Sequence, residues 1–175
     1  MRNLIVITIV LLSQTINAQK YFTRTGITDF KASVDAFEPV EAKNNSTTAI
    51  LKVNTGEIAA QLFVSAFKFK VALMQEHFNE NYMDSDTYPK ATFRGEIENF
   101  SLNKLTTKKN FTLKGTIEIR GIKKEINTII TVGLDKKVIK IKGDFSVNPK
   151  DFDIKIPSIV RKKIAQRINS EMNYE

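Results

Sequence analysis

The chain has 175 residues and a formal net charge of +8, with 27 Lys and Arg against 19 Asp and Glu and a single His. It contains no Cys, which excludes thiol catalysis, thiolate metal sites and redox pairs. It also has no Trp, and its short basic clusters carry no interleaved aromatic residues, so we expect no nucleic-acid partner.

Residues 1–18 have the layout of a cleavable secretory signal. Arg2 supplies a positive start, Leu4–Leu12 is a short apolar run, and Ala18 places a small residue before Gln19. The run is too short to span a membrane, and no later stretch is apolar enough to do so. We therefore expect cleavage near Ala18, a periplasmic or secreted protein without an integral membrane span, and one domain over residues 19–175.

Alternation of apolar and polar residues predicts strands through most of that domain. The pattern is weaker in the first three of the following segments and clear in the others: Tyr21–Thr25, Ile27–Val34, Thr48–Val53, Glu57–Val64, Ala91–Glu98, Phe111–Gly121, Ile126–Val132 and Ile139–Val147. Because each strand has one apolar face, the strands must close or stack to hide it. The sequence predicts an all-β fold, an eight-stranded antiparallel barrel with one or two short helices.

The same alternation predicts which side chains face inward, since a slip of one residue would exchange the two faces. The residues expected to face the interior are Leu62, Val64, Phe93, Ile97, Leu113, Ile117 and Ile119. The residues expected to face water are Thr92, Arg94, Lys114, Glu118 and Arg120. Glycines 95, 115 and 143 fall on the apolar side, where a strand bends sharply or another group approaches closely.

Two segments interrupt the strand pattern. Ala72–Asn81 has helical spacing, and we expect it to cover the barrel with Leu73, Met74 and Phe78 turned inward; the alternative is that these residues plug a filled core. Ser158 could cap a second short helix, in which Ile159, Val160, Ile164 and Ile168 share one stripe. Alternation returns from Ile168 to Tyr174, as in a closing strand.

His77, the only histidine, lies in the stretch MQEHFNENYMDSDTYPKATFRG with several acidic residues. A zinc or copper site needs several His or Cys ligands, and the acids lack the loop pattern of calcium-binding hands. His77 as a general base would need a nucleophile or second acid, which the spacing does not indicate. We therefore predict no catalytic residue, no metal and no cofactor, and interpret the stretch as helix, turn, proline and strand.

Three segments closely resemble the YceI-like family of exported proteins in sequence, order and spacing. They are ALMQEHFNENYMDSDTYPKATFRGEI (Ala72–Ile97), LKGTIEIRGIKKEI (Leu113–Ile126) and FSVNPKDFDIKIPSIV (Phe145–Val160). The resemblance implies an elongated, lipocalin-like barrel whose apolar tunnel encloses a polyisoprenoid or fatty-acid derivative without covalent chemistry. Lys43 stands at a position where members of the family often have His. This chain therefore lacks any function that such a His would provide.

We therefore expect a non-catalytic carrier or sequestering protein for a long amphiphilic lipid, and an eight-stranded barrel is wide enough for one small ligand. The residues expected to line its tunnel are Leu62, Val64, Phe67, Phe69, Leu73, Met74, Phe78, Phe93, Ile97, Leu113, Ile117 and Ile119. Two alternatives remain open: a lipid- or isoprenoid-modifying enzyme with His77 as base, and a packed barrel that serves only as an interaction module. A homodimer and a transient contact with a membrane surface also remain open.

Overall fold

The structure is a computed structural model that describes residues 19–34, 36–105 and 107–175. The predicted signal segment, residues 1–18, lies outside the described residues. The described strands are β1 (Lys20–Ser33), β2 (Glu41–Lys52), β3 (Glu57–Phe63), β4 (Lys68–Phe69), β5 (Lys90–Ile97), β6 (Lys109–Ile119), β7 (Ile122–Asp135), β8 (Val138–Val147) and β9 (Ile164–Tyr174). The helix α1 (Ala72–His77) continues into a π-helical segment (Phe78–Met83), and 3-10 turns span Val64–Ala66, Leu102–Lys104 and Pro149–Phe152.

Eight long antiparallel strands close into a barrel. The hydrogen-bonded order runs β1-β9-β8-β7-β6-β5-β3-β2, and β1 also pairs with β2, which closes the sheet. The two-residue strand β4 adds to β2 at Ala42 and Lys43. The predicted eight-stranded antiparallel barrel is therefore confirmed, and the short helix α1 lies between β4 and β5.

The first two strands are longer than their sequence pattern indicates. The two weak candidates at the start of the domain form one strand, β1, because register shifts around Gly26 and Thr28 absorb the break in alternation. β2 begins at Glu41, where its inward side chains Asn44 and Thr47 are polar although they are buried. The Asn44 side chain donates to the Phe63 carbonyl oxygen at 3.0 Å, so a buried polar residue takes a place where the pattern requires an apolar one.

The predicted second helix is wrong. Ser158–Lys163 form a succession of turns, and Ile164 begins β9. Ile159, the first residue of the expected apolar stripe, is 86% exposed. Ile164 pairs with Ser33 of β1 in the sheet, and this strand pairing overrides the helical spacing of the apolar residues.

The interior of the barrel is filled at one end. This packed end carries the β2–β3 and β7–β8 turns and the β5–β6 connection. Its buried side chains are Ala49, Leu51, Val53, Ile58, Ile97, Leu105, Phe111, Leu113, Ile130, Val132, Ile139, Ile141, Met172 and Tyr174. The opposite end, which we call the open end, carries the β1–β2 connection, α1 and the turns at Ser158–Lys163.

A pair of glycines brings β5 and β6 close together above this packed core. Gly95 and Gly115 are directly paired, and a Cβ atom on Gly115 would lie 2.5 Å from the Gly95 Cα and 2.7 Å from the Phe93 Cζ. A side chain at this position would therefore collide with backbone. The ring of Phe93 lies against the glycine pair and packs on the core, as its predicted inward orientation requires.

Candidate functional site

An apolar cavity of about 420 Å³ occupies the open end of the barrel. Eight of the residues predicted to line a tunnel are in its wall: Leu62, Val64, Phe67, Phe69, Met74, Phe78, Ile117 and Ile119. Their contact with a ligand stays a prediction. The cavity lies between the packed core and the open end of the barrel, which α1 and its π-helical continuation cover.

The other four predicted lining residues lie elsewhere. Three of them, Phe93, Ile97 and Leu113, face inward as expected but belong to the packed end. Alternation determines which face of the strand a side chain is on, but not its position along the barrel axis. Leu73 is 57% exposed, so the prediction that it turns inward is wrong. In α1 the adjacent Met74 takes the inward position instead.

Sequence reasoning missed one side of the cavity wall. The missed residues come mainly from β1, from β8 and β9, and from the connection between the last two: Phe30, Ala32, Phe145, Val147, Phe152, Ile154, Ile156, Val160, Ile164, Ile168 and Ser170. The assignment of residues 158–168 to a helix hid part of this set. A signal was present in the alternation of Phe152, Ile154 and Ile156, which all lie in the wall.

Four phenylalanines join the helical cover to the barrel wall. The rings of Phe30, Phe67, Phe69 and Phe78 lie with centroids 5.1 to 5.9 Å apart in five pairwise contacts. Such offset and edge-on contacts add to the burial of the rings. Phe78 is therefore fixed to the wall, whereas Met74 lines the cavity outside this ring cluster.

Uncharged and charged polar groups lie at different ends of the cavity. At the inner boundary the Thr28 hydroxyl lies 2.8 Å from the Thr47 hydroxyl and 3.2 Å from the Tyr174 hydroxyl, all three buried. Burial raises the pKa of Tyr174, while the hydrogen bond with Thr28 acts in the opposite direction, so this boundary is polar but uncharged at neutral pH. The acidic and basic residues of the wall, Glu38, His77 and Lys163, are exposed at the mouth.

His77 lies at this mouth with an exposed side chain. Across residues 19–34, 36–105 and 107–175, no group of three or more His, Asp or Glu side chains is placed to hold a metal ion. Within the same ranges the His77 side chain makes no hydrogen bond or ion pair. In the part of the chain that the structure describes, no helix is long and apolar enough to cross a membrane.

We expect His77→Ala to leave both ligand binding and folding essentially unchanged. The imidazole is exposed and contributes only part of the rim, so its loss should change the free energy of unfolding by less than about 0.5 kcal/mol. Titration with a fluorescent fatty acid and thermal unfolding of both proteins would check this. A loss of binding of tenfold or more at equal stability would assign His77 a direct role.

Comparison with known proteins places the barrel among related folds. A model of the YceI-like domain matches residues 13–175. A search of curated proteins found no match. The match covers nearly the whole chain and includes the three segments that resemble the family.

The barrel resembles several solved structures, including those of the following three proteins. A polyisoprenoid binding domain from Saccharophagus degradans, implicated in plant cell wall breakdown, matches with a TM-score of 0.73 and 12% identity over 88% of this chain and 95% of that one. BcnA from Burkholderia cenocepacia matches with a TM-score of 0.71 and 15% identity over 85% and 93%. A YceI protein from Campylobacter jejuni matches with a TM-score of 0.51 and 15% identity over 93% and 88%. At these identities the likeness shows the fold alone.

Proposed function

We propose that this chain, which belongs to the YceI-like family, binds one long lipid chain in its cavity and carries or sequesters it without covalent chemistry. The observation that carries the proposal is the apolar cavity of about 420 Å³ inside the open end of the barrel. Ligand sites are concave, mostly apolar and provided with a few polar groups, and this cavity has each of these properties.

The distribution of polar groups favours an amphiphile. The body of the cavity is built from aliphatic and phenyl side chains, and charged groups occur at its mouth. An acyl or prenyl chain would fill the body, and a hydrated head would stay at the mouth beside Glu38 and Lys163. The polyisoprenoid-binding description of the Saccharophagus degradans domain supports the prenyl member of this class, although a fatty-acid derivative fits the same chemistry.

The cavity also favours this function over the two alternatives. A barrel that served only as an interaction module would need no hollow interior, because side chains fill barrels of this size when nothing else does. An enzyme that used His77 as base would need that side chain held against a second reactive group. Its exposure and its lack of partners within the described residues support a non-catalytic role.

Export is part of the proposal. We propose that cleavage near Ala18 releases residues 19–175 into the periplasm or the exterior, where a lipid carrier prevents exposure of apolar chains to water. The amino-terminal sequence of the protein recovered from its own host would test the cleavage position. A homodimer and a transient contact with a membrane surface stay predictions.

Native mass spectrometry of protein purified from its own host would test the proposal. We expect a folded species that carries one lipid per chain, and an organic extract that contains a molecule with a long apolar chain. Protein stripped of lipid should then take up a fluorescent fatty acid or a prenol at a stoichiometry of one. A stripped, folded protein that takes up neither probe would contradict the proposal.

A further inference from the structure

The open end carries a strongly basic segment that the cavity does not require. Residues 155–163, KIPSIVRKK, contain Lys155, Arg161, Lys162 and Lys163 and no acidic residue; we call this segment the basic turn. Within the described part of the chain, none of these four side chains forms an ion pair. All four side chains are exposed.

An apolar side chain projects from the middle of the basic turn. Ile159 is 86% exposed, the largest exposed fraction of any large apolar residue in the described chain. Hydrogen bonds hold the surrounding backbone in place: the Val160 N–H donates to the Pro157 carbonyl at 3.1 Å, and the Lys163 N–H donates to the Val160 carbonyl at 2.8 Å. Local turn geometry therefore keeps Ile159 pointing away from the barrel.

The basic turn borders the mouth of the cavity. Val160, directly after Ile159, lines the cavity, as does Lys163. The Val34 N–H donates to the Lys163 carbonyl at 3.1 Å, and the Lys163 ammonium lies 6.0 Å from the centroid of the Phe37 ring, which is itself 41% exposed. The basic turn and the exposed ring of Phe37 thus lie beside one another at the mouth.

We propose that the basic turn docks the open end of the barrel onto an anionic lipid bilayer. Ile159 enters the boundary between headgroups and acyl chains, and the four basic side chains contact the lipid phosphates. Interfacial binding of this kind gains strength from buried apolar area and from the attraction of Lys and Arg to anionic lipids. A single projecting isoleucine surrounded by cations fits a lipid surface better than a protein interface, whose central residues are depleted in charge.

Charge also decides how the barrel is tilted. Another border of the mouth is formed by α1 and the π-helical segment, which carry Glu76 and Glu80, both exposed. An anionic surface repels this border and attracts the basic turn. Docking therefore brings the mouth against the bilayer from the side of Phe37 and Ile159, which places the cavity entrance next to the acyl chains. This surface is independent of what fills the cavity, so it is tested with lipid-free protein.

Sedimentation with vesicles tests the charge contribution. We expect binding to phosphatidylcholine vesicles that contain about one third phosphatidylglycerol, and little binding to phosphatidylcholine alone. The variant Arg161→Gln/Lys162→Gln should bind the anionic vesicles about 25-fold more weakly, because the loss of each charge should lower the affinity roughly fivefold. The matched control Lys136→Gln/Lys137→Gln, in the β7–β8 turn at the packed end, should bind like the wild type. Equal losses in the two variants, or no binding of the wild type to anionic vesicles, would overturn the proposal.

Single tryptophans test the insertion of the apolar side chain, because the chain has no Trp of its own. The fluorescence of Ile159→Trp should shift to the blue when anionic vesicles are added and be quenched by brominated acyl chains. Ile129→Trp serves as control, since Ile129 is 57% exposed on β7 in the barrel wall. Equal responses of the two reporters would overturn the proposed orientation. Unchanged vesicle binding of Ile159→Ala would mark a general polyanion site and would likewise overturn membrane docking.

Discussion

Ser170→Phe should abolish lipid uptake while the barrel remains folded. Ser170 is buried on β9, lines the cavity, and lies in register between Phe30 of β1 and Phe145 of β8. A phenyl ring at this position would extend into the existing cavity, so it would occupy the space that we assign to the acyl or prenyl chain. We expect affinity for a fluorescent fatty acid to fall at least about 100-fold, which corresponds to a loss of roughly 2.7 kcal/mol.

The expected effect on stability is small by comparison. Overpacking a well-filled core costs about 1–3 kcal/mol, but here the ring enters space that is not filled by other side chains. The control Asn169→Phe places the same ring on the outward face of β9, where the side chain is exposed. Fluorescence titration and urea unfolding of both variants separate the two effects. Unaltered binding by a folded Ser170→Phe protein would place the ligand outside the cavity.

The barrel itself could be predicted from the sequence because its signal is local and repeated. β5, β6 and β8 combine one apolar face with one polar face, so alternation alone identifies them. Alternation indicated β1 only weakly and as two separate segments, and it missed the first half of β2. Their inward positions include Thr28, Asn44 and Thr47, whose burial depends on hydrogen bonds to partners distant in the sequence.

The division of the interior into a packed core and a cavity could not be predicted in the same way. Leu113 and Ile117 have the same parity on β6, yet Leu113 lies in the core and Ile117 in the cavity wall. The difference depends on what faces each residue across the barrel, which is a property of the closed sheet. The basic turn was missed for a related reason: its apolar residues have helical spacing, but strand pairing by Ile164 fixes the chain as turns followed by β9.

Replacing Gly115 by valine should destabilise the barrel more than any substitution in the cavity wall. The first side-chain atom would lie 2.5 Å from the Gly95 Cα and 2.7 Å from the Phe93 Cζ, and its nearest neighbour is the Arg94 carbonyl oxygen. Two of these three atoms belong to backbone that is paired in the sheet, so they cannot move without breaking the β5–β6 ladder. We expect a loss of at least about 3 kcal/mol in the free energy of unfolding, which is at the upper end of overpacking effects.

Gly133→Val provides the matched control on β7. Gly133 is also buried in a strand, but the nearest atom to a new Cβ would be the Lys108 Cγ at 3.0 Å, in a flexible side chain that can move aside. Its substitution should therefore cost markedly less, and urea unfolding of the two variants measures the difference. Equal losses would mean that a new side chain at Gly115 is accommodated as easily as one at Gly133. The glycine pair would then not be what lets the Phe93 ring lie against the β5–β6 ladder.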